Sequence, residues 1–299
     1  MKRNLLLSIP ICLLLLRLML SAQEVNLGGS SDTKGQKNSS QNMGWGASIE
    51  VGRNARAAED DLKHGNAPAA AAAAERAAKA APQNSRLWFL LGYASRLAGQ
   101  YPRSEQAYQQ GLKIEHNNLD GLSGLAQTYQ RMGRIDDAKR MLMQVINAAP
   151  RRDNDLMMAG ELYIQSGDVQ QGLALLNRAE SVRPSSHAEV MLAVAYLKLK
   201  QPERAHQLLE QARRRDPKNP AVFRAVANYY REQHDYKAAI AALKSSPVQN
   251  VELLADLGYS YELDGDQRKA AETYSKAANL APQQIGLQLS AAQAEMRSG

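Results

Sequence analysis

Residues 119–152 read LDGLSGLAQTYQRMGRIDDAKRMLMQVINAAPRR. Leu122, Leu125, Ala126 and Tyr129 fall at i, i+3, i+4 and i+7, which places them on one face of a helix. Gly133 supplies a residue suited to the left-handed conformation that ends such a helix. Ala138, Leu142 and Val145 mark one face of a second helix, and Pro150 stops it because proline lacks the backbone N–H and clashes with the preceding turn. Small residues at Ala126 and Ala138 allow the two helices to approach closely.

The same offsets recur along the chain. Leu156, Ala159, Gly160, Tyr163, Gly167, Gly172, Leu176, Ala179 and Pro184 form the next copy, and Leu254, Leu257, Gly258, Tyr261, Gly265, Ala270, Tyr274, Ala277 and Pro282 a late one. The register divides residues 51–284 into seven copies: 51–84, 85–118, 119–152, 153–185, 186–219, 220–250 and 251–284. A period of about 34 residues means a solenoid, in which each unit buries its apolar face only against its neighbours. The expected fold is all-α, a right-handed α-solenoid of tandem helix-turn-helix repeats. Aromatic residues make up 5% of the chain, too few for a large globular core, so alanine must do much of the packing.

The pattern resembles the tetratricopeptide repeat, Trp-x2-Leu-Gly-x2-Tyr, then Ala-x3-Phe, then Pro. The copy at 85–118 carries Trp88, Leu91 and Gly92 in that spacing, with Ser95 in place of Tyr, then Ser104, Tyr108 and Gly111, and His116 in place of Pro. The resemblance implies that first helices line an inner groove and that their non-core positions face a ligand. Those positions are Phe89, Tyr93 and Arg96 in the second copy, Ser123, Gln127 and Gln130 in the third, and Met157, Glu161 and Ile164 in the fourth. Val190, Val194 and Lys198 follow in the fifth, Arg224, Asn228 and Arg231 in the sixth, and Ala255, Tyr259 and Glu262 in the seventh. Phe89 with Tyr93 reads either as an exposed aromatic shelf of the kind that anchors interfaces or as ordinary packing between superhelical turns. Arg224, Asn228 and Arg231, at i, i+4 and i+7, read either as a grip for a carboxylate or as a solvated face.

Several departures bear on organisation. The first copy has Asn54, Ala57, Ala58 and Asp61 in its first helix and an alanine run, Ala69–Ala74, in its second, the mark of an N-terminal cap with a thin core. The sixth copy loses residues around Ser245-Ser246-Pro247, which shortens its second helix and alters the local twist or makes a hinge. Residues 285–299 are either a capping helix or the start of a truncated eighth repeat.

Ahead of the repeats, residues 23–50 are rich in Gly, Ser, Asn and Gln and are expected to be a disordered polar linker. Residues 1–22 read as a signal peptide: Lys2 and Arg3, an apolar stretch from Leu5 to Leu16, then small residues at Ser21-Ala22. Arg17 interrupts the apolar run and Leu20 is large for its place before a cut, so an uncleaved membrane tether is the second reading. The sole cysteine, Cys12, lies in this segment, which leaves no thiol for a disulfide or metal site in a processed chain. Formal net charge is +7, of which Lys2, Arg3 and Arg17 carry +3. The remainder is a mild excess without a long basic run or basic–aromatic interleave, so nucleic acid is not expected as a partner. Arg213-Arg214-Arg215 reads as a cationic helix C-terminus that complements the macrodipole.

The histidines His64, His116, His187, His206 and His234 occupy different repeat positions and form no HExxH pair. Asp136, Asp137, Asp264 and Asp266 sit in or next to turns as expected helix N-caps and lack the spacing of a calcium loop. No enzyme activity and no cofactor are expected. The function read from these residues is a non-catalytic protein–protein interaction scaffold, periplasmic or secreted and envelope-associated. It would bind a peptide or protein segment in its groove, and the resemblance places it in envelope or exopolysaccharide-secretion assembly. A polysaccharide-binding module with Phe89, Tyr93 and Tyr259 as stacking platforms, or the N-terminal arm of a larger outer-membrane exporter, is the alternative.

Overall fold

The computed structural model describes residues 45–299; the predicted signal, Cys12 and most of the predicted linker lie outside the described residues. Within them the chain forms fifteen α-helices and no strand. The first helices of the seven repeats are α1 (Trp45–Lys63), α3 (Ser85–Leu97), α5 (Leu119–Arg131), α7 (Asp153–Gln165), α9 (Ser186–Lys198), α11 (Pro220–Glu232) and α13 (Val251–Asp264). Their partners are α2 (Ala67–Ala80), α4 (Tyr101–Ile114), α6 (Ile135–Ala148), α8 (Val169–Val182), α10 (Pro202–Arg215), α12 (Tyr236–Lys244) and α14 (Gln267–Leu280), and α15 (Ile285–Ser298) follows.

Local chemistry sets the helix boundaries. Asn118, Ser185 and Asn250 accept the backbone N–H of Gly121, Ala188 and Leu253 at 2.7, 3.1 and 2.9 Å, satisfying donors that the first turn leaves free. Gly133, Gly167 and Gly265 adopt positive φ at the turn between the two helices. In the fifth and sixth repeats Lys200 (φ 56°) and His234 (φ 58°) take that place, at a strain of about 1 kcal/mol each for a residue with a Cβ. Of the four aspartates expected as N-caps, Asp266 caps α14 through the N–H of Lys269. Asp136 and Asp137 instead lie in the first turn of α6 and pair with Lys139 and Arg134, while Asp264 is the last residue of α13.

The first helix begins at Trp45, so the stretch expected as linker to residue 50 ends earlier than its composition suggests. Val51, Ala55 and Ala58 pack against Ala74, Ala77 and Ala78 of α2, and once that contact nucleates the helix, extension by further residues costs little. The core at this end is almost entirely alanine, which brings α1 and α2 close together.

Each helix packs on its neighbours in sequence, and consecutive first helices also touch: α1 with α3, α3 with α5, α7 with α9, α9 with α11, and α11 with α13. The side on which neighbouring units approach most closely is the inside of the curve, so the first helices line the inner face. The helix α12 has nine residues where every other second helix has fourteen. Pro247 enforces the stop, and Ser245 closes the end by donating to the carbonyl of Ala242 at 2.7 Å. The last helix buries Ala291 and Ala294 and exposes Ile285, Leu289 and Met296. No helix among the described residues is long and apolar enough to cross a membrane.

Candidate interaction surface on the inner helices

The inner-face residues divide into those consumed by packing between repeats and those left accessible. Phe89 belongs to the first set. A Cβ on Gly111 of α4 would lie 2.4 Å from its ring, and one on Gly121 of α5 would lie 2.6 Å away. Its ring also stacks on Tyr108 with centroids 6.3 Å apart. Phe89 is therefore a wedge between the second and third repeats, not the outer half of an exposed aromatic shelf. Tyr93 stays half-buried beneath the guanidinium of Arg96, whose Cζ lies 5.3 Å from the ring centroid.

Arg224 and Arg231 are likewise consumed. Both are buried, and both turn toward Asp256 of the following repeat, itself buried. The Nε of Arg224 donates to Asp256 at 2.5 Å, while Arg231 Nη2 lies 3.6 Å from the same carboxylate. Arg231 Nη1 donates to Ser260 Oγ at 3.1 Å, Nη2 donates to Asn228 Oδ1 at 3.4 Å, and Cζ sits 5.5 Å over the Tyr259 ring. Burial pushes the Arg231 guanidinium below its usual range even though the Asp256 charge pulls it up. The expected carboxylate grip exists, but the carboxylate is the chain's own. Asp256 was missed from sequence because it lies one repeat onward. A signal was there: its register mates are Gly124, Met158 and Ala225, and an acid at an otherwise apolar or small position calls for a partner.

Ser123 is also spent between repeats. It is buried and donates to Asp155, which in turn accepts from Arg152 Nε at 2.6 Å. Ile164 and Val190 are buried in the core. Arg215, read as a macrodipole complement, reaches the buried Glu189 with Nε at 3.1 Å and Nη2 at 2.8 Å. Glu189 occupies the register position of Leu122, Leu156 and Leu254. Arg215 is far more exposed than Glu189 (42% against 3%), so only the carboxylate carries a large desolvation cost. Glu189→Leu is accordingly expected to stabilise the fold by about 1–2 kcal/mol, as replacement of buried ionic groups by matching apolar ones often does. The urea midpoint should rise with an unchanged slope.

One row repeats along the inner face from the second repeat to the seventh: Tyr93, Gln127, Glu161, Val194, Asn228 and Tyr259, each half-buried at the same place on its helix; beside it Arg96, Gln130, Met157 and Glu262 are half-buried and Lys198 is exposed. In the middle of the row Glu161 pairs with His187 of α9 at 2.6 Å. Burial disfavours the charged imidazole, but the Glu161 hydrogen bond and charge more than offset it, and the His187 pKa is raised. A raised folded-state pKa means that the pair's stabilisation is complete below the unfolded value of about 6.5 and fades as pH rises through the folded value. Imidazole NMR titration should place His187 above 6.5, and Glu161→Gln should drop it below, since burial would then act unopposed. An unchanged value would remove Glu161 as the cause.

Antiparallel helix pairs repeated at this period, with an accessible row along the inner helices, define a helical-repeat scaffold of the protein-interaction class. Three family models, each described as tetratricopeptide repeat, match residues 95–159 and 163–229, residues 55–116, and residues 251–284. The chain belongs to the tetratricopeptide repeat family. No curated protein matches it as a relative. Among solved structures it is similar to a tetratricopeptide repeat protein from Parabacteroides merdae, at 16% identity and a TM-score of 0.70 over 83% of this chain and 99% of that one. It is also similar to PilW, described as a widely conserved type IV pilus biogenesis factor, at 17% identity and a TM-score of 0.58 over 69% and 97%. Pseudomonas aeruginosa pilF matches at 18% identity and a TM-score of 0.53 over 70% and 97%. These likenesses concern the fold.

Proposed function

We propose that this protein is an exported, non-catalytic scaffold that holds an extended protein segment along its inner face. The observation that supports this reading is the accessible row from Tyr93 to Tyr259, which repeats at the spacing of the helix pairs while Ser123, Ile164, Val190, Arg224 and Arg231 beside it are buried. Half-buried Tyr, Gln and Asn side chains combine contact area with hydrogen-bonding ends, as interface anchors do. An extended segment would meet one such residue per repeat. The wedge role of Phe89 removes one of the three aromatic platforms that a glycan site would have used.

Export rests on the charged start, apolar stretch and small residues of positions 1–22. Assembly of envelope machinery, with exopolysaccharide secretion as the form the family resemblance suggests, is the corresponding biological setting. That a pilus biogenesis factor shares the fold is compatible with such a setting.

The test is capture from an envelope extract by the immobilised full chain and by a Gln127→Arg variant, the substitution lying in the accessible row and away from the buried pairs. A protein retained by the wild type and lost by the variant supports the inner face. Equal retention moves the site elsewhere. In the same cells, fractionation and N-terminal sequencing test export: a mature chain starting at Gln23 outside the cytoplasm is expected, and an intact chain in the cytoplasm would refute it.

A further inference from the structure

The shortened helix α12 leaves something behind. In the four preceding repeats the residue at the fourth position of the first helix is sealed: Leu122, Leu156, Glu189 and Phe223 are all buried. Their register mate Leu254 is only half-buried. Where α12 stops short, a depression of about 560 Å³ lies between α12 and α14. Leu254, Leu257 and Tyr261 of α13 form its floor, on a different face of that helix from Tyr259 in the inner row.

The rim is basic. Lys244 stands at the end of α12, and Lys269 and Lys276 stand on α14. Lys269 is tied to Asp266 at 2.6 Å. Neither Lys244 nor Lys276 has a carboxylate within ion-pairing distance among the described residues. The acid that lines the depression, Glu272, is engaged by Arg268 at 3.3 Å. An apolar floor with two free ammonium groups on opposite walls asks for an occupant with an apolar side chain and carboxylates to either side. The space also has the origin of a helix end: nine residues stand where fourteen are usual, a deficit of more than one turn, or about 7 Å of helix.

We propose that this depression is a second docking site, separate from the inner face, and that its occupant is an acidic amphipathic helical segment of a partner protein that replaces the missing turns of α12. One or two apolar residues of the segment cover Leu254 and Tyr261, and Asp or Glu residues a turn away meet Lys244 and Lys276. Helix-in-groove recognition of this kind reads apolar anchors at i and i+3 or i+4. The charge complementarity adds register and on-rate to what the apolar contact supplies.

Random twelve-residue peptides displayed on phage and panned on the full chain would test this. Selected peptides are expected to combine Leu, Ile or Phe with Asp or Glu at three- or four-residue spacing. By fluorescence polarisation a synthetic copy should lose about tenfold in affinity for a Lys244→Glu/Lys276→Glu variant, whose substitutions are on exposed rim positions. A second variant keeps both lysines but replaces Ser245-Ser246-Pro247 by an alanine-rich insert that restores α12 to full length; shown folded by circular dichroism, it should not bind the peptide. Selected peptides without acids, or affinity unchanged in both variants, would overturn the proposal. So would peptides displaced by inner-row substitutions alone. Self-association of the wild type that charge reversal abolishes, without peptide selection, would assign the site to a second copy of this chain and equally overturn it.

Discussion

Asp256→Ala is expected to destabilise the C-terminal repeats by about 3–5 kcal/mol, because it strands two cations that have been taken out of water. Arg224 and Arg231 have 10% and 6% of their side-chain surface exposed, and Asp256 is the carboxylate within reach of both. Without it the two guanidiniums repel each other across a site that water barely enters. Arg231 retains Ser260 and Asn228, which are neutral and cannot offset the charge. Stability in a repeat array is a sum of unit and neighbour-interface contributions, so the loss should appear locally. Hydrogen exchange should accelerate in α11 and α13 while α5 and α7 keep their protection, and urea unfolding should become two-step. Combining Asp256→Ala with Arg224→Met and Arg231→Met should restore most of the stability. A cost under about 1 kcal/mol for the single change would show that the cluster is more hydrated than its burial indicates.

Phe89→Ala is expected to cost about 3 kcal/mol, the lower end for a buried phenylalanine because the ring is only partly enclosed. The vacated slot is bounded by Gly111, Gly121 and the Tyr108 ring, and backbone at two glycines cannot collapse to fill it. The loss falls on the joint between the second and third repeats. An exposed ligand shelf would behave in the opposite way, with stability unchanged and binding lost. Thermal melting of Phe89→Ala therefore distinguishes a wedge from a shelf. Gly121→Ala, which pushes a methyl into the same ring, should be destabilising by about 1–3 kcal/mol.

Much of the architecture was legible in the order of residues. The period, the helix faces and the glycine turns at Gly133, Gly167 and Gly265 all rest on interactions within one unit, and these are local in sequence. The shortening at Ser245-Ser246-Pro247 was legible for the same reason. The start of α1 was not, because the residues before 51 have the composition of a linker and extend a helix whose contact with α2 begins at Val51.

The candidate site was legible only in part. Register alone tells which way a side chain leaves its helix, and by that criterion Phe89, Arg224 and Arg231 belong to the same class as Tyr93, Gln127 and Asn228. What separates them is the residue waiting on the next repeat: Gly121 for Phe89, Asp256 for the two arginines. Such partners lie roughly one period away, at positions the repeat pattern does not specify. Sequence by itself therefore determined the repeat, its helices and its inner face. The tertiary structure decided which inner-face groups are spent holding the repeats together, because packing and desolvation between neighbouring units depend on pairs of residues and not on either residue's place in the period.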